Sequence, residues 1–162
     1  MILSLLKNIA KRTPVRQIYI GQEEYLTRYY LFGKPGLHYF PVGSKPFMSW
    51  LPFTVYLHNF HRGDDEKLHT HPWQFAITSV LNGGYEEDCL ENDEVIIKKG
   101  KRFIPRFFVK NYCHRITKIE PDTWTLFIVA GKVQPWGFMD TETKKIIPWK
   151  QYLRERGTKI DS

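Results

Sequence analysis

From Gln17 onward, short runs rich in β-branched and aromatic residues alternate with Gly, Pro, Asn and Asp. This rhythm constrains the fold more than any other feature. Runs of this length suit strands, and turn residues this frequent leave little room for long helices. The strand candidates are 26–32, 37–40, 53–59, 75–81, 84–89, 94–98, 102–109, 113–119 and 123–130. Asn82, Gly83 and Gly84 form a strong turn signal, because Asn and Gly both accept positive φ. Residues 33–36 and 91–93 are further turns. Many short strands with frequent turns imply a sandwich or barrel. At 162 residues, with no internal repeat or long linker, the chain suits one domain. Eleven Phe, nine Tyr and five Trp supply apolar area for a packed core and exclude disorder.

The ends read differently. Ile2, Leu5, Leu6 and Ile9 fall at helical spacing, with Lys7, Lys11 and Arg12 elsewhere, and Pro14 stops the pattern. Residues 1–16 are therefore expected to be an amphipathic helix and linker, and 17–162 the β domain. The helix would dock on the domain or on a second copy, which makes a homodimer one expectation; a membrane-surface helix and a targeting segment are the alternatives. A secretory leader would carry its charges first and a longer apolar run after them. Residues 149–156 are expected to close the chain with a short helix. Cys89 and Cys113 are the only cysteines, too few for a disulfide scaffold, and the expected compartment is the cytoplasm.

The formal charge is +7, which admits an anionic partner. Its distribution weakens that reading for macromolecules. Glu86, Glu87, Asp88, Glu91, Asp93 and Glu94 precede Lys98, Lys99, Lys101, Arg102 and Arg106, and the two sets read as mutually compensating sheet surface. A nucleic-acid stripe would gather its cations without acids between them. Neither nucleic acid nor membrane is the expected partner; a small, anionic molecule is. Arg28 and Arg115 could each grip a carboxylate or phosphate, with surface ion pairing as the alternative.

Chemistry concentrates in the histidines. Four of the six lie between positions 58 and 71: His58, His61, His69 and His71. On a strand, residues i and i+2 share a face, so His69 and His71 can reach one ion. Imidazole suits Fe, Mn, Ni, Cu and Zn, so the pair does not name the metal. His58 and His61 would line the site's mouth or carry protons. His38 has no visible partner. Cys113 adjoins His114 and should face the other way, into core. Trp73, Trp124 and Trp136 would wall a pocket or fill the core.

Gly63, His69, His71 and Gly83 match the first cupin motif, G-x5-H-x-H-x3,4-E-x6-G, at its longer spacing. Ala76 stands where that motif has its acidic ligand, or Phe75 at the shorter spacing. In the second motif, G-x5-P-x-G-x2-H-x3-N, His114 takes the histidine position and Asn111 stands for the turn glycine. Val109 and Lys118 replace the proline and the asparagine. With 25–31, 56–73, 83–85, 114–115, 124–126 and 136–138, most of the chain resembles a small single-domain cupin family of bacteria and phages that has no assigned reaction. The resemblance implies an all-β fold, a cupin-type double-stranded β-helix or jelly-roll barrel with short N- and C-terminal helices.

It further implies one divalent transition metal ion on His69, His71 and His114, iron first, with Mn, Ni or Zn as alternatives. Asp64, Asp65 and Gln74 are the candidates for a fourth ligand or for acceptors of the ring N–H groups. Strand alternation disfavours Gln74 unless Pro72 introduces a bulge. His58, His61, Trp73 and Arg115 are the pocket candidates. A three-His set without a carboxylate is similar to that of thiol dioxygenases, so an iron-dependent dioxygenase acting on a small molecule is the first expectation. A non-catalytic ligand-binding cupin or sensor, and a metal-dependent isomerase of sugars or keto acids, are the alternatives. No individual catalytic residue is assigned.

Overall fold

Apolar residues at alternate positions pull both faces of the long strands into core, and the chain meets this demand with two layers of strands and a helix. The computed structural model describes residues 1–33, 46–64, 67–132, 135–140 and 142–155. The expected strand 37–40, His38 and most of the turn at 33–36 lie outside them. α1 spans Ile2–Ala10, followed by β1 (Val15–Ile20), β2 (Glu23–Gly33), β3 (Phe53–Phe60), β4 (Trp73–Asn82), β5 (Tyr85–Glu91), β6 (Glu94–Gly100), β7 (Pro105–Val109), β8 (His114–Ile119), β9 (Thr123–Lys132), β10 (Gly137–Met139), β11 (Ile146–Pro148) and α2 (Trp149–Glu155).

Three antiparallel sheets result: a six-stranded sheet in the order β1-β2-β3-β9-β4-β7, a three-stranded sheet β6-β5-β8, and the pair β10-β11. The central strands of the large sheet are buried on both faces. Outward, Leu31, Leu57, Leu81 and Trp124 pack with Leu3, Leu6 and Ile9 of α1. The amphipathic N-terminal segment is thus a helix docked on the sheet. Inward, Leu26, Phe60 and Val80 meet Tyr85 and Ile116 of the small sheet, while Tyr30, Tyr56, Ala76, Phe108, Phe127 and Val129 form a second interior cluster. Among the described residues no helix is long and apolar enough to cross a membrane.

The expected turns form as their chemistry requires. Gly83 takes φ 66°, and a Cβ there would sit 2.9 Å from Thr123 Cα; the fully buried Thr123 hydroxyl meets the backbone of Gly84. Asn92 and Asp93 both take positive φ between β5 and β6, as a tight two-residue hairpin demands. Asn111, standing for the motif's glycine, takes φ 70°. β1, β10 and β11 are additions to the sequence-based strand set. The acid–base alternation also plays out as expected in part: Glu86 pairs with Lys99 and Lys118, Asp88 with Arg115, and Glu91 with Lys98. Glu87 and Arg106 do not join that surface.

Candidate metal centre

His69 is held by its backbone. It exchanges both hydrogen bonds with His114 at the start of β8 (2.8 and 3.0 Å) and bridges Phe138 of β10 on its other side. Thr70 is buried and tied to Gly137 by its N–H, 2.9 Å from the carbonyl. An extended backbone through Thr70 then returns His71 to the face used by His69. The three imidazoles meet with ring centroids 5.0–5.1 Å apart, and one nitrogen from each lies within 4.8 Å of the others. His71 Nε2 and His114 Nε2 are 2.8 Å apart.

Two of the remaining ring nitrogens have acidic neighbours. His114 Nδ1 is hydrogen-bonded to Glu87 of β5, which is completely buried. Glu87 also takes the Arg106 guanidinium and a hydrogen bond from the Tyr112 hydroxyl at 3.1 Å. His69 Nδ1 faces Asp64 at 4.0 Å, and the same Asp64 oxygen accepts the Ile116 N–H at 2.7 Å. The carboxylate on His114 Nδ1 fixes that ring and leaves Nε2 with its lone pair, the donor a divalent metal needs. His71 is braced by Trp73, stacked at 5.1 Å and 20°.

Burial disfavours the charged form of two of the rings. His71 lies well below the ordinary histidine pKa because of burial, with His69, His114 and Arg28 adding to the effect. His114 is lowered to about 4 by burial, against the pull of Asp64 and with that of Arg106. Neutral imidazole is the ligand form. The donor set therefore suits a divalent transition metal bound by three nitrogens, with Fe, Mn, Ni, Cu and Zn all compatible.

The other sequence candidates separate. Gln74 is exposed, one strand position from Trp73, with its side chain against Gly131. Alternation along β4 carries it away from the histidines, so Gln74 is corrected to an outer-face residue. Asp64 is near the site as a neighbour of His69, and Asp65 lies outside the described residues. His58 is buried on the inner face of β3, accepting the Arg28 Nε–H at 3.0 Å. His61 is exposed, bonded to Thr27 at 3.0 Å and 3.3 Å from Glu24. Arg115 points opposite to His114 and pairs with Asp88 at 2.8 Å, so it is corrected from pocket to outer-sheet ion pair. Trp124 belongs to the face under α1, stacked with Tyr29; Trp136 stands at the triad, 6.4 Å from the His69 ring.

A cleft of about 10 Å³, room for roughly one water, reaches His71 between Trp73, Phe75, Ala76, Phe108, Val109 and Tyr112. Ala76 is core here, packed among aromatic rings. The carboxylate of this region is Glu87, which sequence reading placed in the solvated acidic cluster. One signal could have found it. Glu87 lies two positions from both Tyr85 and Cys89, so alternation puts it on their buried face. Both cysteines are buried, with their thiol pKa values raised, Cys113 to about 11. Neither is poised as a nucleophile.

No family model matches the chain, and no curated protein matches it. Solved structures do. DMSP lyase DddQ from Ruegeria pomeroyi aligns over 80% of this chain and 62% of its own, with 16% identity and a TM-score of 0.55. An oxalate oxidase structure aligns over 89% and 71%, with 11% identity and a TM-score of 0.51. FeII HppE in complex with substrate aligns over 75% and 58%, with 10% identity and a TM-score of 0.51. The chain thus spans about three-fifths of the lyase and HppE chains. At these identities the likeness carries the fold: the protein is a cupin-type double-stranded β-helix.

Proposed function

We propose that this cupin holds one divalent transition metal ion through His69, His71 and His114 and acts with it on a small molecule, iron-dependent dioxygenation being the leading reaction. One observation carries the reading: a buried His114 and the half-buried His69 and His71 converge, with burial disfavouring the charged form of His71 and His114 and with His69 and His114 turning Nδ1 toward carboxylates. When bound, the metal supplies a Lewis-acidic, redox-capable centre with coordination positions beyond the three histidines. The chain's own residues do the rest. Glu87 holds the Nδ1 proton of His114, and Arg106 balances the charge of Glu87, so the imidazole keeps one tautomer and one orientation. Trp73, Phe108 and Phe127 exclude water from the interior side of the triad, and the cleft beside His71 gives access.

Two of the similar structures support an oxidative reading by analogy of fold: FeII HppE with its substrate and an oxalate oxidase. Ala76 favours a second reading, a non-catalytic ligand-binding cupin, because among the described residues no carboxylate joins the three imidazoles as a ligand. Oxygen uptake by the iron-loaded protein separates the two. A panel of thiols and 2-oxo acids should contain a compound that raises oxygen consumption well above the rate of the His71→Ala variant. Uptake indistinguishable from that variant with every compound would leave the binding-module reading standing instead.

A further inference from the structure

Strand alternation sends Leu26, Arg28 and Tyr30 of β2 into the barrel, opposite Phe60, His58 and Tyr56 of β3. Arg28 is the odd member of this set, a half-buried cation between apolar neighbours. Its Nε–H goes to His58 Nε2 at 3.0 Å, and the guanidinium stands 5.0 Å over the Tyr56 ring. Both partners are neutral. Burial, with Arg28 adding to it, holds His58 well below the ordinary histidine pKa. Among the described residues no carboxylate pairs with Arg28, and its two terminal nitrogens make no hydrogen bond. Three other arginines are each paired with an acid. Arg106 has Glu87, Arg115 has Asp88 and Arg62 has Glu23. Taking a guanidinium out of water without an anion is costly, and a planar fork left open is built for a carboxylate.

The position relates this fork to the triad. Aromatic rings run from His58 to Phe127 (5.3 Å), to Trp73 (5.3 Å) and to His71 (5.1 Å), and the Arg28 charge is felt at His71. We infer that Arg28 recognises the carboxylate of a small organic acid whose other end reaches the metal centre, an inference that rests on the function proposed above. A carboxylate fits better than a phosphate. Phosphate sites gather several cations or backbone N–H groups, whereas Arg28 is one cation flanked by the Tyr56 ring and a neutral His58, suited to a monoanion with an apolar body.

The test titrates the full-length chain, both metal-free and loaded with Co2+, with acetate, pyruvate, lactate and benzoate, each against its own amide and against inorganic phosphate. Calorimetry reports binding, and Co2+ absorption reports the metal. At least one acid should bind about tenfold or more tightly than its amide, the size of one charge-assisted contact. Arg28→Met should abolish that preference, and Arg28→Lys, which keeps the charge and loses the fork, should retain part of it. All three proteins should take up Co2+ equally and melt alike. Acids and amides binding alike, a preference that survives Arg28→Met, or phosphate outcompeting every acid would overturn the inference. A wild type that takes up no Co2+ would remove the metal reading alone, since the acid–amide contrast in the metal-free chain still decides the role of Arg28.

Discussion

At the scale of the residue, Glu87 matters most among those that sequence reading passed over. It is fully buried, bonded to His114 Nδ1, and balanced by Arg106 and Tyr112. Glu87→Gln keeps the shape and loses the charge that orients His114. Metal affinity, measured by chelator competition, should fall by about 10–100-fold, typical for a partner of a ligating histidine. Glu87→Ala leaves the largely enclosed Arg106 without its anion and should cost about 3 kcal/mol in urea unfolding; a loss below about 1 kcal/mol would show that the pair is solvated. The metal-free chain should also respond to acid. His58 and His71 have lowered pKa values in the fold, so between about pH 6.5 and those values the unfolded chain binds protons that the folded chain refuses. Stability should then fall as pH drops from 7 to 5.5, by up to about 1.4 kcal/mol per pH unit for each histidine. His58→Gln, which can still accept the Arg28 hydrogen bond, should flatten the slope by one proton; an unchanged slope would contradict the assignment.

The pair His69 and His71 was legible because its signal is positional: i and i+2 on an extended segment share a face whatever the tertiary context. His114 was legible only through the resemblance to the second cupin motif. Glu87 was illegible because its neighbours Glu86 and Asp88 are indeed solvent-side acids. Only the apolar residues at i±2 distinguish it from them.

At the scale of elements, the period-two pattern read well wherever a strand has unlike faces, and the hairpin glycines and asparagines took the backbone angles their chemistry allows. β1 was missed because it is an edge strand, exposed along most of its length, so no apolar alternation marks it. β10 and β11 are three residues each, too short for a pattern. The helix α1 was legible from its apolar spacing, yet its docking surface was not, because the outer face of β2, β3 and β9 exists only once the sheet has formed. The two kinds of leucine on α1 make this testable. Leu6 packs into the cluster under the helix, whereas Leu5 is 61% exposed. Leu6→Glu should lower stability by about 3 kcal/mol or more, an unpaired charge driven into a core. Leu5→Glu should change it by less than about 0.5 kcal/mol. Equal effects would mean that the helix does not sit on the sheet as described.

At the scale of the whole molecule, the +7 charge is distributed over paired sheet surface and the N-terminal helix, while the barrel interior carries a small, specific set of charges. Arg106 and Glu87 compensate each other beside His114, Asp64 faces His69, and Arg28 has no acid among the described residues. That arrangement, more than net charge, is what a metal and a small anion would read. Because the metal would bind the folded chain and bridge β8 to the segment before β4, loading should also raise the melting temperature, by the equivalent of about 2.7 kcal/mol at a hundredfold excess over Kd. The measurement that bears most directly on the account is metal content by mass spectrometry. Protein purified without chelator from cells supplied with iron and manganese should carry about one transition-metal ion per chain. His114→Ala, folded by circular dichroism, should carry almost none. Wild-type protein that is metal-free after such growth, or a His114→Ala variant that keeps its ion, would contradict the three-histidine centre.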